Sequence, residues 1–256
     1  MKNRDLRKFT AGMALYKLTI AYDGTDFFGF QRQITKRTIQ EELEQALRKI
    51  GWRGKSILYS GRTDSGVHAE GQVIACALDW GHRPIDLVKA LNTLLPKDIS
   101  VICAQIVPDG FHPRYDAVER RYRYQIAVMP ERNPLIERYF WRVWPEPDKE
   151  LLESGAKVIV GRHDFSGFGR TNKDSATTIR TITEANWRFE GLDEAYFTIA
   201  SKAFLYHMVR RIVFLLVRIG QKKLDAIELE RSFQKQGKLP AGIAPAQGLF
   251  LEQIYY

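Results

Sequence analysis

Cysteine is scarce in this 256-residue chain: there are two, Cys76 and Cys103, each inside an apolar, strand-like run and neither part of a close pair. A disulfide-stapled scaffold and a zinc ribbon are thereby excluded, and a reducing compartment is expected. The five histidines, at 68, 82, 112, 163 and 207, are scattered without ligand spacing, so no metal site is expected. The longest apolar run of the later chain, residues 212–217, falls far below the roughly 20 residues of a membrane span. The opening MKNRDLRKFTAG is charged and lacks an apolar core, which sets residues 1–12 apart as a leader and points to the cytoplasm. Phosphate-cradling loops are missing too. GWRGKS has two residues between Gly51 and Gly54-Lys55-Ser56 where the ATP-binding pattern needs four, and Gly167-Phe168-Gly169 lacks the third glycine of a dinucleotide fingerprint. No cofactor is expected. Acidic residues are outnumbered by basic ones, 30 to 39, and the net charge of +9 suits a polyanionic partner.

What is present reads as alternating strands and helices. Residues 15–22 alternate as a strand and stop at the turn signal Asp23-Gly24. Thr38 and Glu41 form a capping-box pattern ahead of Ile39, Leu43, Ala46, Leu47 and Ile50, which recur at helical spacing. Strands follow at 56–59 and 72–78, a helix at 84–95 and a strand at 99–107. The second half repeats the order with a strand at 122–128, a helix at 148–160, strands at 179–189 and 195–200, a helix at 204–219, an additional helix at 224–233 and a closing strand at 249–255. The expected class is α/β (α+β): two ferredoxin-like β-α-β-β-α-β units joined edge to edge into a mainly antiparallel sheet with a central basic cleft. The boundary falls near residues 111–117, giving domains 13–112 and 113–256.

Four stretches carry candidate chemistry. DGTDFFGFQRQ sets Phe27, Phe28 and Phe30 beside Gln31 and Arg32, a mixture suited to stacking on bases and bonding phosphates, or equally to an aromatic plug under a loop. In ERRYRYQI the strand period puts Tyr122, Tyr124 and Ile126 on one face and Arg121, Arg123 and Gln125 on the other, which favours core tyrosines opposite a solvated arginine face. In AFLYHMVRRIV, Arg210 and Arg211 interrupt an apolar helix, so one of them should face an anion and the other water. GRHDFSGFGRTNKDSATTIRTI, with Arg162, Arg170, Lys173 and Arg180, is long for a connection.

The central stretch is YSGRTDSGVHAEGQV, residues 59–73, a loop between two strands with Arg62, Thr63, Asp64 and Ser65 held between Gly61 and Gly66. Asp64, Ser65 and His68 lie too close together in sequence for a separated nucleophile, base and orienter. A pairing of Asp64 with Glu70 or Asp26 follows no spacing rule. One carboxylate flanked by Arg62 remains, and a single nucleophilic carboxylate can run a covalent reaction on a substrate that carries its own leaving group.

YDGTDFFGFQRQ, GRTDSGVHAEGQV, LNTLLPKDISV, FHPRYDAVERRYRYQI, HDF, FLYHMVRRIV and APAQGLFLEQIYY stand in the order seen in TruA-type tRNA pseudouridine synthases, which the chain resembles from about Leu15 to its end. The resemblance implies a cofactor-free, homodimeric enzyme that isomerises uridine to pseudouridine at positions 38, 39 and 40 in the anticodon stem-loop of tRNA. It assigns the nucleophile to Asp64, the motif arginine to Arg62, the base-stacking tyrosine to Tyr122 and the aspartate-pairing arginine to Arg210. Substrate contacts are expected from Tyr122, Gln31, Arg32, His68, Arg114 and Arg121. Phe214, where the helix commonly has glycine, and Cys76, where an aromatic is common, depart from the pattern outside the motif residues. The competing class is a non-catalytic tRNA-binding module, which would need the basic cleft without Asp64.

Overall fold

The computed structural model describes residues 12–171, 177–191, 193–236 and 238–256. Residues 1–11 of the expected leader and Lys173 of the long connection lie outside them. Two compact units are present: one runs through Val118 and takes in Leu251–Tyr256, and the other is Glu119–Phe250.

In the first unit β1 (Met13–Tyr22), α1 (Ile39–Lys49), β2 (Leu58–Tyr59), β3 (His68–Asp79), α2 (Pro84–Leu94) and β4 (Ile99–Val107) follow the β-α-β-β-α-β order. β1 is central, antiparallel to β3 on one side and to β4 on the other. The outer edge of β3 takes β2 at Ala75 and Ile74, and it also neighbours β10 (Leu249–Tyr255). Gly71 makes the second contact possible, because a Cβ there would stand 2.4 Å from the Glu252 carbonyl oxygen. β2 is only two residues long, so the loop that follows it depends on anchors from neighbouring segments more than on a strand ladder.

Helix α1 buries Ile39, Leu43, Ala46 and Leu47, the face its spacing predicts. Its start differs from the expected capping box. Thr38 makes no side-chain cap, and its hydroxyl is buried without a hydrogen-bond partner among the described residues. The first-turn N–H groups of Ile39 and Gln40 donate instead to the carbonyls of Gly29 (3.3 Å) and Phe30 (2.9 Å). Backbone from the preceding loop thus satisfies donors that a helix N-terminus leaves open. That loop is fixed by the plug alternative of its aromatic residues: Phe27 and Phe30 are buried, while Phe28 alone is exposed, with the Lys36 ammonium 4.3 Å from its ring.

Glu44 of α1 is a fully buried carboxylate. It accepts from Gln40 Nε2 (2.8 Å) and the Ile57 backbone N–H (3.2 Å), and it pairs with Arg32 and Arg48. Ile57 leads directly into β2, so this carboxylate ties the helix to the strand that precedes the central loop.

The second unit contains β5 (Glu119–Val128), β6 (Trp141–Val143), α3 (Lys149–Ile159), β7 (Gly161–Asp164), β8 (Ile179–Glu190), β9 (Glu194–Ser201), α4 (Met208–Gly220) and α5 (Ile227–Phe233). Its strands run in the order β5-β9-β8-β7, with antiparallel neighbours, and β6 pairs parallel to β5. β6 and β7 lie in segments whose sequence reads as connections. They are too short for an alternation to show and exist only because a neighbouring edge is available to pair with.

The pattern on β5 is part core, part surprise. Tyr124 and Ile126 are fully buried, and Tyr124 Oη donates to the Pro245 carbonyl at 2.7 Å. The opposite face is covered rather than solvated. Arg121 pairs with Glu184, the Arg123 guanidinium lies 5.3 Å from the Phe250 ring centre, and Gln125 donates to the Tyr139 carbonyl at 2.9 Å. Helix α4 begins at Met208 rather than at 204, because Tyr206 is bridged to Arg170 and His207 adopts a left-handed φ of 66°, which a helix cannot continue backwards. α3 crosses α4 at Gly155, where a Cβ would sit 2.9 Å from Leu216 Cδ2.

Replacing Glu44 by Ala should lower stability by about 3–5 kcal/mol, since it strands a buried backbone N–H and removes the anion opposite two guanidiniums. Chemical denaturation with an unchanged slope is the measurement. A loss below about 1 kcal/mol would show that Glu44 does not anchor β2.

Candidate active site

The loop of residues 60–67 joins β2 to β3, and it is held by β3, by β1 and by the loop of residues 23–30. Gln72 of β3 grips its start: Oε1 accepts from Ser60 Oγ (2.5 Å) and Nε2 donates to the Gly61 carbonyl (3.1 Å). Thr63 Oγ1 and Tyr22 Oη share a buried hydrogen bond of 2.7 Å. The loop of residues 23–30 clasps the remainder. Phe30 N–H donates to the Thr63 carbonyl (3.1 Å), and the Phe27 carbonyl accepts from Gly66 N–H (3.4 Å) and Ser65 Oγ (3.1 Å). Val67 N–H closes a turn onto the Asp64 carbonyl at 3.2 Å.

Two glycines permit this clasp. A Cβ on Gly24 would stand 2.0 Å from the Val67 carbonyl oxygen, and one on Gly29, whose φ is +87°, would stand 2.9 Å from the Thr63 carbonyl oxygen. Neither contact admits a side chain. With its backbone pinned, Asp64 projects a half-buried carboxylate from a fixed point, and Arg62 beside it is exposed, with Nε donating to Tyr59 Oη at 3.2 Å. Asp64 is the one acidic residue in the loop. A carboxylate whose position is set by backbone anchors can act as nucleophile or base without first ordering its own segment.

The remaining sequence-predicted residues fall in varied settings. His68 is only 1% exposed, and Nδ1 accepts from Gly24 N–H at 3.0 Å and lies 3.2 Å from Asp23 Oδ1. In that place the imidazole supports the clasp from beneath. Gln31 is exposed, and Arg32 beside it is paired to Glu44. Arg114 is half-buried, with its guanidinium 5.8 Å from the Tyr115 ring centre. These belong to the first unit with Asp64 and Arg62.

Tyr122, Arg121 and Arg210 belong to the second. Tyr122 is half-buried and meets Phe204 edge-on at 5.2 Å. Arg210 Nε donates to the Ala244 carbonyl at 2.8 Å, and Ala244 N–H returns a bond to the Arg210 carbonyl at 3.1 Å, so α4 and residue 244 fix each other. Phe214 occupies the hollow over Gly242, where a Cβ would lie 2.2 Å from its ring, and Cys76 is buried in β3, where burial pushes its thiol up to about 12. Both departures from the family pattern are therefore packed into the structure. Among the described residues no group of three His, Cys, Asp or Glu side chains could hold a metal ion.

Gln72, Tyr22 and the two glycines carry no role in the sequence pattern. The spacing of glycines in YDGTDFFGF was the available signal, since two glycines among large aromatics mark backbone that must approach other backbone closely.

Gly24→Ala should destabilise the fold by about 1–3 kcal/mol through overpacking against the Val67 carbonyl. Gly81→Ala, whose Cβ would meet nothing within 4 Å, is the control. Thermal melts of the two variants should separate; equal melting temperatures would refute the close approach.

The model of a family described as tRNA pseudouridine synthase matches residues 18–116 and 156–256. A protein of Lacticaseibacillus casei named tRNA pseudouridine synthase A is 40% identical over 250 residues, spanning 95% of this chain and all of that one. The proteins of the same name from Latilactobacillus sakei and a Geobacillus species are each 38% identical, over 94% of this chain and 98% and 97% of theirs. A match of that extent, carried through both units and including the clasped loop around Asp64, places this chain in the tRNA pseudouridine synthase family, enzymes that isomerise uridine to pseudouridine in tRNA.

Proposed function

We propose that the uridines isomerised by this enzyme are those at positions 38, 39 and 40 in the anticodon stem-loop of tRNA, and that a single carboxylate, Asp64, carries the reaction. The observation behind the second statement is the loop itself: one acidic residue, held by backbone anchors on both sides and still half-exposed. In the isomerisation the bond from the base nitrogen to the ribose breaks, the base turns in place, and a bond forms from the base carbon. The proton displaced from that carbon is balanced by one gained at the freed nitrogen. Nothing is oxidised or lost, so the chemistry asks for no cofactor. Attack on the ribose, attack on the uracil and removal of a ribose proton all require Asp64 to be ionised.

Reaching a base in a stem requires flipping it from its stack. Tyr122 is proposed to pack on the flipped uracil. Arg210 is proposed to favour the charged form of Asp64, as a cation near a carboxylate does, and Arg62 to occupy or hold the space that the base leaves. Gln31, Arg32, Arg114 and Arg121 are proposed to contact the RNA, while His68, buried under the clasp, acts through the loop it supports. The net charge of +9 supports a polyanionic substrate. We also propose a homodimer in the cytoplasm; among the described residues no helix is long and apolar enough to cross a membrane.

Asp64→Asn keeps the size of the side chain and removes its charge. Pseudouridine formation in a tRNA transcript should fall by several orders of magnitude, with melting temperature and tRNA affinity close to wild type. Turnover within tenfold of wild type would remove Asp64 from the chemistry. Light scattering at micromolar concentration should report twice the chain mass, and a monomer throughout would remove the dimer alone.

A further inference from the structure

A cavity of about 430 Å³ lies wholly within the second unit, away from the loop of Asp64 in the chain. Its walls come from residues 166–170, from Tyr206 and His207 ahead of α4, and from Arg211 in the first turn of that helix, and among the described residues none that lines it is acidic. The walls are built rather than draped. Arg170 and Tyr206 exchange two backbone hydrogen bonds, of 3.4 and 3.0 Å, and Gly169 lets them meet, since a Cβ there would stand 2.5 Å from the Tyr206 carbonyl oxygen.

The chemistry of this wall is cationic and aromatic. Arg211 Nη1 donates to the Gly242 carbonyl at 2.6 Å, and its guanidinium lies 6.0 Å from the Phe214 ring centre. A carbonyl and a ring fix the position of a cation without neutralising it, and the guanidinium has further N–H donors to offer. Burial pulls its pKa below the ordinary arginine value, because it takes the charge partly out of water. Arg170 is exposed, and among the described residues no carboxylate pairs with it. Next to these arginines the rings of Tyr206 and His207 are stacked at 3.7 Å between centres, with Tyr206 51% exposed.

Two arginines that pair with no carboxylate among the described residues, and an exposed stacked ring, fit the repeating unit of a nucleic-acid strand, a phosphate followed by a flat base. We propose that the cavity walled by Arg170, Arg211 and the Tyr206–His207 stack is a subsite for an RNA phosphodiester, with the adjoining base laid on Tyr206. The proposal rests on tRNA being the substrate, and it assigns this face a role in holding the strand, separate from the chemistry at Asp64.

The test is the salt dependence of tRNA affinity in Arg170→Gln, Arg211→Gln and the double variant, with melting temperatures recorded alongside. Removing one arginine–phosphate pairing should reduce the slope of log affinity against log salt by about 0.7–0.9, and the double variant should reduce it by about twice that. KM for tRNA should rise while kcat at saturating tRNA stays within about twofold. Tyr206→Leu should weaken binding by at least about fivefold with the slope unchanged, as expected for a stacking interaction. Arg211→Lys should restore the slope, which separates the effect of charge from that of packing. Lys157→Gln, an exposed lysine of α3 outside the cavity, should leave the slope as it is. A double variant with wild-type melting, slope and affinity would overturn the subsite. So would inorganic phosphate competing for the cavity at matched ionic strength while the tRNA slope stays intact, since the cavity would then serve a small anion. If the wild-type protein bound tRNA but formed no pseudouridine, the catalytic reading would fail, and the slopes would still decide the subsite.

Discussion

The first unit depends on a backbone-to-backbone approach: Gly24 lies on the carbonyl of Val67, and Gly29 on the carbonyl of Thr63. The side of the Asp64 loop that faces residues 23–30 is fixed there. The Phe27 and Phe30 rings are buried beneath it, His68 fills the space under Gly24, and the carbonyls of Gly29 and Phe30 complete the first turn of α1. A strand of two residues could not hold the loop of residues 60–67 by ladder bonds alone. The clasp supplies the missing constraint, and it does so with main-chain groups that cannot rotate away.

The same loop therefore serves two ends. Toward the interior it offers carbonyls and small side chains that are fully engaged, and toward the outside it presents Arg62, Asp64 and Ser65, which are exposed or half-exposed. Pre-organisation of this kind suits the proposed reaction through Asp64, because a carboxylate set in place by its backbone need not be ordered first. The second unit shows a related economy. His207 takes a left-handed conformation that starts α4 late, and the turn this creates brings Tyr206 beside Arg170 and opens the cavity against Arg211.

Much of the fold was legible in the chain. The strand at 99–107 and the closing strand at 249–255 have the bounds their alternation predicts, and α1 buries the face its spacing marks. β-branched alternation and helical spacing are local signals, set by the burial of one face. The elements that escaped, β6 and β7, are defined by partners distant in sequence, as is the late start of α4. The arginine face of β5 was expected to meet water because charge usually does. It met Glu184 and Phe250 instead, and neither contact leaves a trace in the spacing of ERRYRYQI.

At the site the division is sharper. The sequence by itself determined that Asp64 stands beside Arg62 between Gly61 and Gly66, that no phosphate loop or paired metal ligands accompany it, and that the motif around it resembles a single family, because these are properties of residue identity and order. Only the tertiary structure decided that Gln72, Tyr22 and Gly24 hold that loop, that His68 is buried rather than facing outward, and that Thr38 leaves the capping of α1 to the carbonyls of Gly29 and Phe30. Those facts are distances between segments as much as 44 residues apart, and the chain carries no local pattern for a close approach whose two sides are each ordinary backbone.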